Sequence, residues 1–448
     1  MLAMTVASRC FTYVKPAAGN WPPVATTGQK AMKEHLLINI ILEYRYEQFE
    51  DISVLNELED IINNTAYSRV SEYYKANNID LMAEYDKTAF WFLVSYFLNN
   101  FTTPVEFKNG MINLAVNFQK PHLLYEGVCN LLNLGIAQSR CVESDEESKG
   151  VTRYILSVNA ARQMFKGLNH IVKYEEIGKY VRIIKAKDIE EKQLFFGKES
   201  EEKVNDLRNI LSPAGFYRAS MILKRQKRNQ GIQCLFWGPP GTGKTEVIKQ
   251  LARESRRDLF LFEIANVIGS LWGEAEKNYS NLFTAYGYIA AISNNVPILV
   301  LNEADNILSK RLTSMQRSID KSENTISNML LQFFEDMSGI VLATTNLITN
   351  LDQAFDRRFL FKIELEVPDE NARKCIWQSK LNILDENDAA YLARKFRMTG
   401  AQIANVVLKF DLAELYFKGE RDLHYIEKLC LEETKGEFVE KQARRIGF

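Results

Sequence analysis

A glycine-rich run directly after a short apolar segment constrains the fold of this chain more than any other feature. The apolar segment is Leu235-Phe236-Trp237, and the run reads Gly238-Pro239-Pro240-Gly241-Thr242-Gly243-Lys244-Thr245. The run matches the phosphate-loop pattern GxxxxGK(S/T), in which a buried strand passes through a tight loop into a helix. A chance glycine-rich turn would not reproduce all the motif positions together with these flanks. The run therefore predicts an α/β domain built on a parallel sheet.

The same loop predicts a nucleoside triphosphate site. Its glycines allow successive backbone N–H groups, and the start of the next helix, to point at the α- and β-phosphates. Lys244 supplies a cation for the β- and γ-phosphates, and the Thr245 hydroxyl is the expected Mg²⁺ ligand. We predict that ATP and Mg²⁺ bind here and that residues 238–245 and Glu246 contact the nucleotide.

Two later segments place polar residues at the ends of predicted strands. Residues 298–301 are apolar and lead into Asn302 and Glu303, and residues 340–345 lead into Asn346. Side chains at the carboxyl ends of parallel strands face the ligand crevice of such a sheet. Glu303 is predicted to activate the attacking water and Asn302 to face the metal. Asn346 is predicted to contact the γ-phosphate or the water, although an Asn after a strand is more often a turn residue.

Bulk composition narrows the classes of function. The chain has 448 residues, enough for two or three domains, and its 56 basic and 57 acidic residues nearly cancel. Near-neutral charge gives no reason to expect wholesale affinity for nucleic acid or for an anionic membrane. The six cysteines are scattered without a CxxC pair, which favours a reduced, cytoplasmic protein. The most apolar helical run, residues 89–98, is much shorter than the ~20 residues that cross a bilayer.

The order of patterns along the chain suggests five segments. After the phosphate loop, apolar strands alternate with helices, as in a parallel sheet with crossovers, and the pattern is helical from residue 370 onwards. We predict a disordered lead or a mis-assigned start at 1–34, a helical N-terminal domain at 35–169 and a connector at 170–205. An α/β ATPase domain at 206–368 and an all-α small domain at 369–448 follow.

The predicted N-terminal domain has the order of a winged helix. Residues 81–168 are predicted as three helices, a hairpin and a final helix, and the hairpin pairs residues 136–139 with 153–156. The presumed recognition helix, residues 123–132, carries no Lys or Arg, and the hairpin turn is acidic. Binding to DNA phosphates requires cations on that face, so contact with protein or plain packing is favoured over nucleic acid.

The motifs resemble the classical AAA family of AAA+ ATPases. GPPGTGKT, the NEAD and TTN strand ends, the segment at residues 351–359 and the helix start at 399–406 occur in the family's order, so the resemblance covers roughly residues 195–415. It implies ATP hydrolysis in a ring, commonly a homo-hexamer, with ATP at the subunit interfaces. The whole layout also resembles, more loosely, uncharacterised bacterial AAA proteins with a winged-helix-like N-terminal region.

The resemblance assigns further residues by position. Arg357 and Arg358 look like arginine fingers that reach the neighbouring subunit's nucleotide, rather than ordinary surface cations. Gly400 and Ala401 stand near the nucleotide, where many AAA+ proteins outside the classical branch place a sensor arginine. Leu271 and Trp272 match the pore loop that would grip an unfolded polypeptide; the alternative is a tryptophan packed in the core.

One departure from the family bears on activity. Asn302 stands where the family usually has Asp, so we expect weaker Mg²⁺ affinity in an enzyme that is still active. The leading hypothesis is a ring-forming ATPase that remodels or unfolds an unidentified protein client. A nucleotide-gated oligomeric scaffold with little turnover is the alternative, and a DNA-associated motor is disfavoured by the charge. HExxH does not occur among the four histidines, which excludes a fused zinc protease of that type.

Overall fold

The computed structural model describes eleven stretches of the chain. They are residues 68–100, 104–108, 111–112, 121–139, 151–172, 174–228, 231–263, 274–308, 318–346, 351–415 and 422–443. The predicted lead at 1–34, the acidic hairpin turn and the pore-loop residues Leu271 and Trp272 lie outside them.

The N-terminal part combines helices with a four-stranded antiparallel sheet. Its elements are α1 (Ser68–Ala76), α2 (Glu84–Asn100), β1 (Val105–Lys108), β2 (Met111–Ile112), α3 (Pro121–Asn133), β3 (Ala137–Ser139), β4 (Val151–Leu156) and α4 (Val158–Phe165). The predicted hairpin strands do pair, with Ala137 opposite Leu156. The strands β1 and β2 were not predicted, and they extend the sheet in the order β2-β1-β4-β3. The winged-helix assignment itself stays a prediction.

A six-stranded sheet forms the centre of the molecule. Its strands are β5 (Arg182–Ile184), β6 (Ile232–Trp237), β7 (Leu259–Glu263), β8 (Ile298–Asn302), β9 (Ile340–Thr345) and β10 (Phe361–Glu364), in the order β10-β6-β9-β8-β7-β5. Strands β6 to β10 pair in parallel, and their buried, near-continuous apolar runs suit a sheet covered on both faces. The predicted α/β fold is confirmed.

Helices cover this sheet and connect its strands. They are α5 (Tyr174–Gly178), α6 (Lys198–Leu211), α7 (Pro213–Arg225), α8 (Lys244–Glu254), α9 (Glu274–Ile292), α10 (Asp305–Leu308), α11 (Ser318–Asp336) and α12 (Gln353–Asp356). The phosphate loop lies between β6 and α8, as its motif requires.

The predicted connector contributes the sheet's edge strand. Within residues 170–205, β5 pairs antiparallel with β7, with Arg182 opposite Leu261. The next turn is fastened to the sheet by Asp258, which accepts hydrogen bonds from Lys185 Nζ at 2.8 Å and from the Ala186 N–H at 3.1 Å. Three residues of strand give almost no periodic signal, so the sequence pattern alone did not predict β5.

The N-terminal part packs directly on α9 of the ATPase domain. The ring of Phe97 stacks on Phe165 with centroids 5.5 Å apart and lies 5.3 Å from the ring of Tyr288. Tyr288 also accepts a hydrogen bond from Gln138 Nε2 at 3.2 Å and donates one to the Leu156 carbonyl. The two parts therefore share one hydrophobic core.

The C-terminal part is helical, as predicted, and has its own core. It consists of α13 (Glu370–Lys380), α14 (Glu386–Lys395), α15 (Gly400–Leu412) and α16 (Leu423–Ala443). Trp377, Leu392 and Ile403 are buried at its centre. A capping box of Thr399 and Gln402 begins α15 and fixes its N-terminus beside the phosphate loop.

Candidate active site

A cavity of about 790 Å³ lies where the phosphate loop, two strand ends and the small domain meet. The predicted site residues that line it are Pro240, Gly241, Thr242, Gly243, Lys244, Thr245, Glu246, Asn302, Glu303, Asn346, Gly400 and Ala401. The other lining residues were not predicted from the sequence; they are Lys192, Gln193, Leu194, Phe195, Phe196, Thr344, Glu366, Pro368, Ile376, Ser379, Lys380 and Ala404. The cavity is therefore shared by the α/β domain, the predicted connector and the small domain.

The conformation of the phosphate loop requires glycine at positions 241 and 243, among others. Gly243 has φ +92° at the N-cap of α8, a left-handed conformation that side-chain-bearing residues rarely adopt. Gly241 has φ +77°, and a Cβ there would lie 2.9 Å from both Ala401 Cβ and Thr399 Oγ1. The Ala401 N–H donates to the Gly241 carbonyl at 3.2 Å. The start of α15 thus closes directly on the loop.

Lys244 lies almost buried at the base of the loop, with 8% of its surface exposed. Its ammonium donates to the Gly238 carbonyl at 2.8 Å and to the Pro239 carbonyl at 2.7 Å. Burial lowers the pKa of Lys244, and the Asp305 carboxylate acts in the opposite direction. Gly238 and Pro239 therefore act through their carbonyls, by orienting the lysine.

Asn302 ends β8 and accepts hydrogen bonds from two hydroxyl groups. Thr245 Oγ1 and Thr344 Oγ1 each donate to its Oδ1 at 3.0 Å. Because the Thr245 proton points at the amide, lone pairs of the Thr245 oxygen are available to a cation in the cavity. The sequence analysis did not predict the contribution of Thr344.

Glu303 follows in a left-handed backbone conformation, with φ +52°. Its N–H donates to Thr344 Oγ1 at 3.0 Å, and its exposed side chain lines the cavity. Such a conformation is costly for a residue with a side chain and is characteristic of functional sites. The chain turns at Glu303 instead of continuing β8, so the carboxylate is directed away from the sheet.

Asp305 fastens the end of β9 to the start of α10. Its Oδ1 accepts hydrogen bonds from the Thr345 hydroxyl and, at 3.0 Å, from the Asn346 N–H. Asn346 is exposed and lines the cavity. Asp305 is the last residue of the NEAD strand end, and the motif alone predicts no role for it. The structure makes it the residue that positions Asn346.

The oxygen donors in the cavity fit a magnesium ion accompanied by a nucleotide. Thr245, Asn302 and Glu303 supply a hydroxyl, an amide oxygen and a carboxylate along one wall. Magnesium in nucleotide sites uses one or two protein oxygens, together with phosphates and waters. Among the described residues, no three His, Cys, Asp or Glu side chains form a cluster that could hold a metal. The described part of the chain thus offers this hydroxyl-and-amide site rather than a dedicated metal cage.

The two predicted finger arginines differ in their surroundings. Arg358 forms an ion pair with Glu335 and donates to the Ala354 carbonyl at 3.0 Å. Arg357 is exposed, and its guanidinium has no partner among the residues that the structure describes. Neither arginine is among the described residues lining the cavity of its own chain.

The loop, the oxygen donors beside it and the sheet topology define a P-loop nucleotide-binding domain. Residues 234–368 match the family model described as ATPase family associated with various cellular activities (AAA). Residues 234–368 therefore form a domain of the AAA family of ATPases, as the motifs predict.

Several proteins share part of this sequence. Fidgetin-like protein 1 of Drosophila melanogaster is 28% identical over 174 residues, which are 37% of this chain and 32% of that protein. Vacuolar protein sorting-associated protein 4B of Mus musculus is 31% identical over 188 residues, 40% of this chain and 41% of that protein. ATP-dependent zinc metalloprotease FtsH 2 of Sphaerobacter thermophilus is 29% identical over 219 residues, 47% of this chain and 31% of that protein. This chain spans less than half the length of each.

One solved structure matches part of this chain at low identity. The crystal structure of the FIGL-1 AAA domain is 17% identical, and the match covers 61% of this chain and 95% of that one with a TM-score of 0.45. In the part of the chain that the structure describes, no helix is both long and apolar enough to cross a membrane.

Proposed function

We propose that this chain binds Mg²⁺ with ATP in the cavity beside the phosphate loop and hydrolyses the ATP to ADP and phosphate. The observation that carries the proposal is the meeting of Lys244, Thr245, Asn302, Glu303 and Asn346 at one cavity. These residues come from three separate stretches of the chain. Together they supply a phosphate-binding cation, metal-facing oxygens, a carboxylate base and an amide.

Each side chain has a distinct part in the proposed reaction. Loop N–H groups and Lys244 hold the phosphates and oppose the charge that accumulates as the terminal phosphoryl group leaves. Magnesium supplies further neutralisation when bound, and the Thr245 hydroxyl and Asn302 amide would hold it. Glu303 orients a water and accepts its proton. Asn346, fixed through its backbone by Asp305, orients the γ-phosphate or that water.

The proposed assembly is a homo-oligomer, a hexameric ring in its simplest form. Arg357 is exposed and outside its own chain's cavity, which suits an arginine that acts on a neighbour's nucleotide. We further propose that the ring remodels or unfolds a protein client, with Leu271 and Trp272 at its pore, and that it acts in the cytoplasm. The near-neutral charge argues against nucleic acid as the partner.

A purified ATPase assay combined with size measurement tests the proposal. Phosphate release should require Mg²⁺ and should be lost in Lys244→Ala, while Lys249→Ala, which removes a lysine of the same helix α8, should keep it. The mass in solution should rise when Mg²⁺ and ATP are added. Assembly without measurable turnover would favour the nucleotide-gated scaffold, and stimulation by DNA would favour the motor.

A further inference from the structure

Thr344 holds three consecutive residues of the neighbouring strand end. Its Oγ1 donates to Asn302 Oδ1 at 3.0 Å and accepts the Glu303 N–H at 3.0 Å, and its carbonyl accepts the Ala304 N–H at 2.9 Å. The paired residues of β8 and β9 end with Leu301 opposite Ala343. The Thr344 contacts therefore extend the hydrogen bonding between the two strands just beyond their last residue pair. Thr344 is 2% exposed, which shields the contacts from water.

These contacts fix which way the Asn302 amide faces. An amide presents an acceptor oxygen on one side and a donor NH₂ group on the other, and it can rotate by half a turn to exchange them. The Thr344 oxygen already accepts the Glu303 N–H, and its proton is directed at Asn302. If the amide turned its NH₂ group toward Thr344, this buried hydroxyl proton would lose the acceptor that it has in Asn302 Oδ1, so the oxygen is favoured on that side. The same oxygen is then the one that meets the Thr245 hydroxyl at 3.0 Å.

The orientation matters for the metal-facing hydroxyl. With Oδ1 toward Thr245, the hydroxyl donates to the amide and keeps its lone pairs for a cation. With NH₂ toward Thr245, the hydroxyl oxygen would accept a hydrogen bond and compete less well as a ligand. A carboxylate at position 302 would present an oxygen in either orientation and would need no such control.

We infer that Thr344 is a positioning residue that allows an asparagine to serve at the magnesium-facing position. It sets the Asn302 amide so that Thr245 is a competent ligand, and it holds the backbone of Glu303 in its left-handed turn. This inference rests on the proposed function, because it concerns the same nucleotide site.

A double-mutant cycle measured by binding rather than by turnover tests the inference. The readout is the Mg²⁺ concentration that half-maximally tightens binding of a fluorescent ATP analogue. Thr344→Val, which keeps the shape and removes the hydroxyl, should raise that concentration about tenfold, the usual effect of losing an outer-shell partner. Thr344→Ser should stay near the wild-type value because it keeps the hydroxyl.

The second arm of the cycle repeats Thr344→Val in the Asn302→Asp background. There the shift in the Mg²⁺ midpoint should largely disappear, since a carboxylate does not depend on Thr344 for its orientation. An equal shift in both backgrounds, or none in the asparagine background, would overturn the inference. Melting temperatures of all four proteins show whether a changed Mg²⁺ midpoint comes from unfolding. If Thr344→Val does not fold, Thr344→Ser takes its place. The inference then requires that Thr344→Ser has the wild-type Mg²⁺ midpoint.

The proposed function can fail separately. If the wild type binds the analogue in a Mg²⁺-dependent way but never releases phosphate, hydrolysis is refuted while the Thr344 cycle still gives its answer. If binding of the analogue does not respond to Mg²⁺ in the wild type, the Thr344 inference is wrong and ATP binding stands.

Discussion

Glu303 combines a costly backbone conformation with an exposed carboxylate at the cavity wall. A left-handed residue with a side chain costs on the order of 1 kcal/mol or more, and here the Thr344 hydroxyl stabilises the turn. The intrinsic backbone preference of a glutamate would not favour this conformation, so the surrounding contacts hold Glu303 in it. The carboxylate beyond the strand end is the group that we propose to accept a proton from water.

Replacement of Glu303 by Gln should separate binding from hydrolysis. The amide keeps the shape of the side chain and loses its basicity, so single-turnover hydrolysis should slow by about 10²- to 10⁴-fold while ATP affinity changes little. Quenched-flow phosphate release and equilibrium titration measure the two quantities. Glu366→Gln, another carboxylate of the same cavity, is the matched control and should hydrolyse ATP at close to the wild-type rate. Persistent hydrolysis in Glu303→Gln would mean that another group is the base.

At the scale of residues, the sequence predicts groups that belong to contiguous motifs and misses those defined by strand register. Lys244 and Thr245 follow from one run of residues whose spacing dictates the chemistry. Thr344 acts only because β9 places it beside the end of β8, and a single sequence does not specify that register. Asp305 had a visible motif position, but its role depends on contact with Asn346, which is distant along the chain.

At the scale of elements, strands with a long apolar run or a hairpin partner nearby in the sequence were predicted, whereas short strands without such a signal were not. The apolar runs of β6, β8 and β9 are long enough to identify from sequence, whereas β2 and β5 consist of two and three residues that exist only through their partners. The interface between α4 and α9 is also non-local. It joins rings such as Phe165, Phe97 and Tyr288 that no local pattern connects.

The end of α4 places a lysine in this interface, and stability should depend on pH because of it. Lys166 Nζ donates to the Ser293 carbonyl at 2.5 Å. Burial, followed by the charges of Arg162 and Arg257, lowers the pKa of Lys166 from 10.5 to about 8. Below about pH 8 the lysine is protonated in the folded and unfolded states, and its destabilising effect is complete. Between about pH 8 and 10.5 the unfolded chain binds more protons, so the free energy of unfolding should rise with pH.

Comparison with Lys166→Met isolates this contribution. The difference in unfolding free energy between wild type and variant should shift in favour of the wild type as pH increases through that window. Denaturant titrations at several pH values measure it. Lys428→Met, which removes an exposed lysine of α16, is the control and should show no such trend. A difference that is flat across the window would show that Lys166 is not desolvated at the interface.

At the scale of the whole molecule, the contrast between Arg357 and Arg358 makes catalysis between subunits testable. Arg357→Ala should remove an arginine that acts on the neighbouring subunit, and turnover should fall by about 10³-fold or more. Arg358→Ala should chiefly disturb the local loop, because Arg358 is engaged by Glu335. Mixing inactive Glu303→Gln subunits with inactive Arg357→Ala subunits should restore activity, since some interfaces then pair an intact Glu303 with an intact arginine.

The mixing experiment requires proof that both subunit types share one assembly. Native mass measurement supplies it. Mixed assemblies without any recovered activity would contradict catalysis in trans and, with it, the proposed ring. If Glu303→Gln subunits regain activity with Arg358→Ala subunits but not with Arg357→Ala subunits, the arginine finger is Arg358.

The buried side chains of the described residues form two hydrophobic cores of unequal size. One hydrophobic core runs from Phe97 and Phe165 through α9 into the central sheet, whereas the small domain is built around Trp377. Loss of packing in the N-terminal part therefore removes support from α9, while the small domain can open with its own core intact. A destabilising substitution near Tyr288 would thus lower the stability of the ATPase domain itself. For this subunit, the N-terminal part is an integral piece of the ATPase domain's hydrophobic core rather than an appendage attached to it.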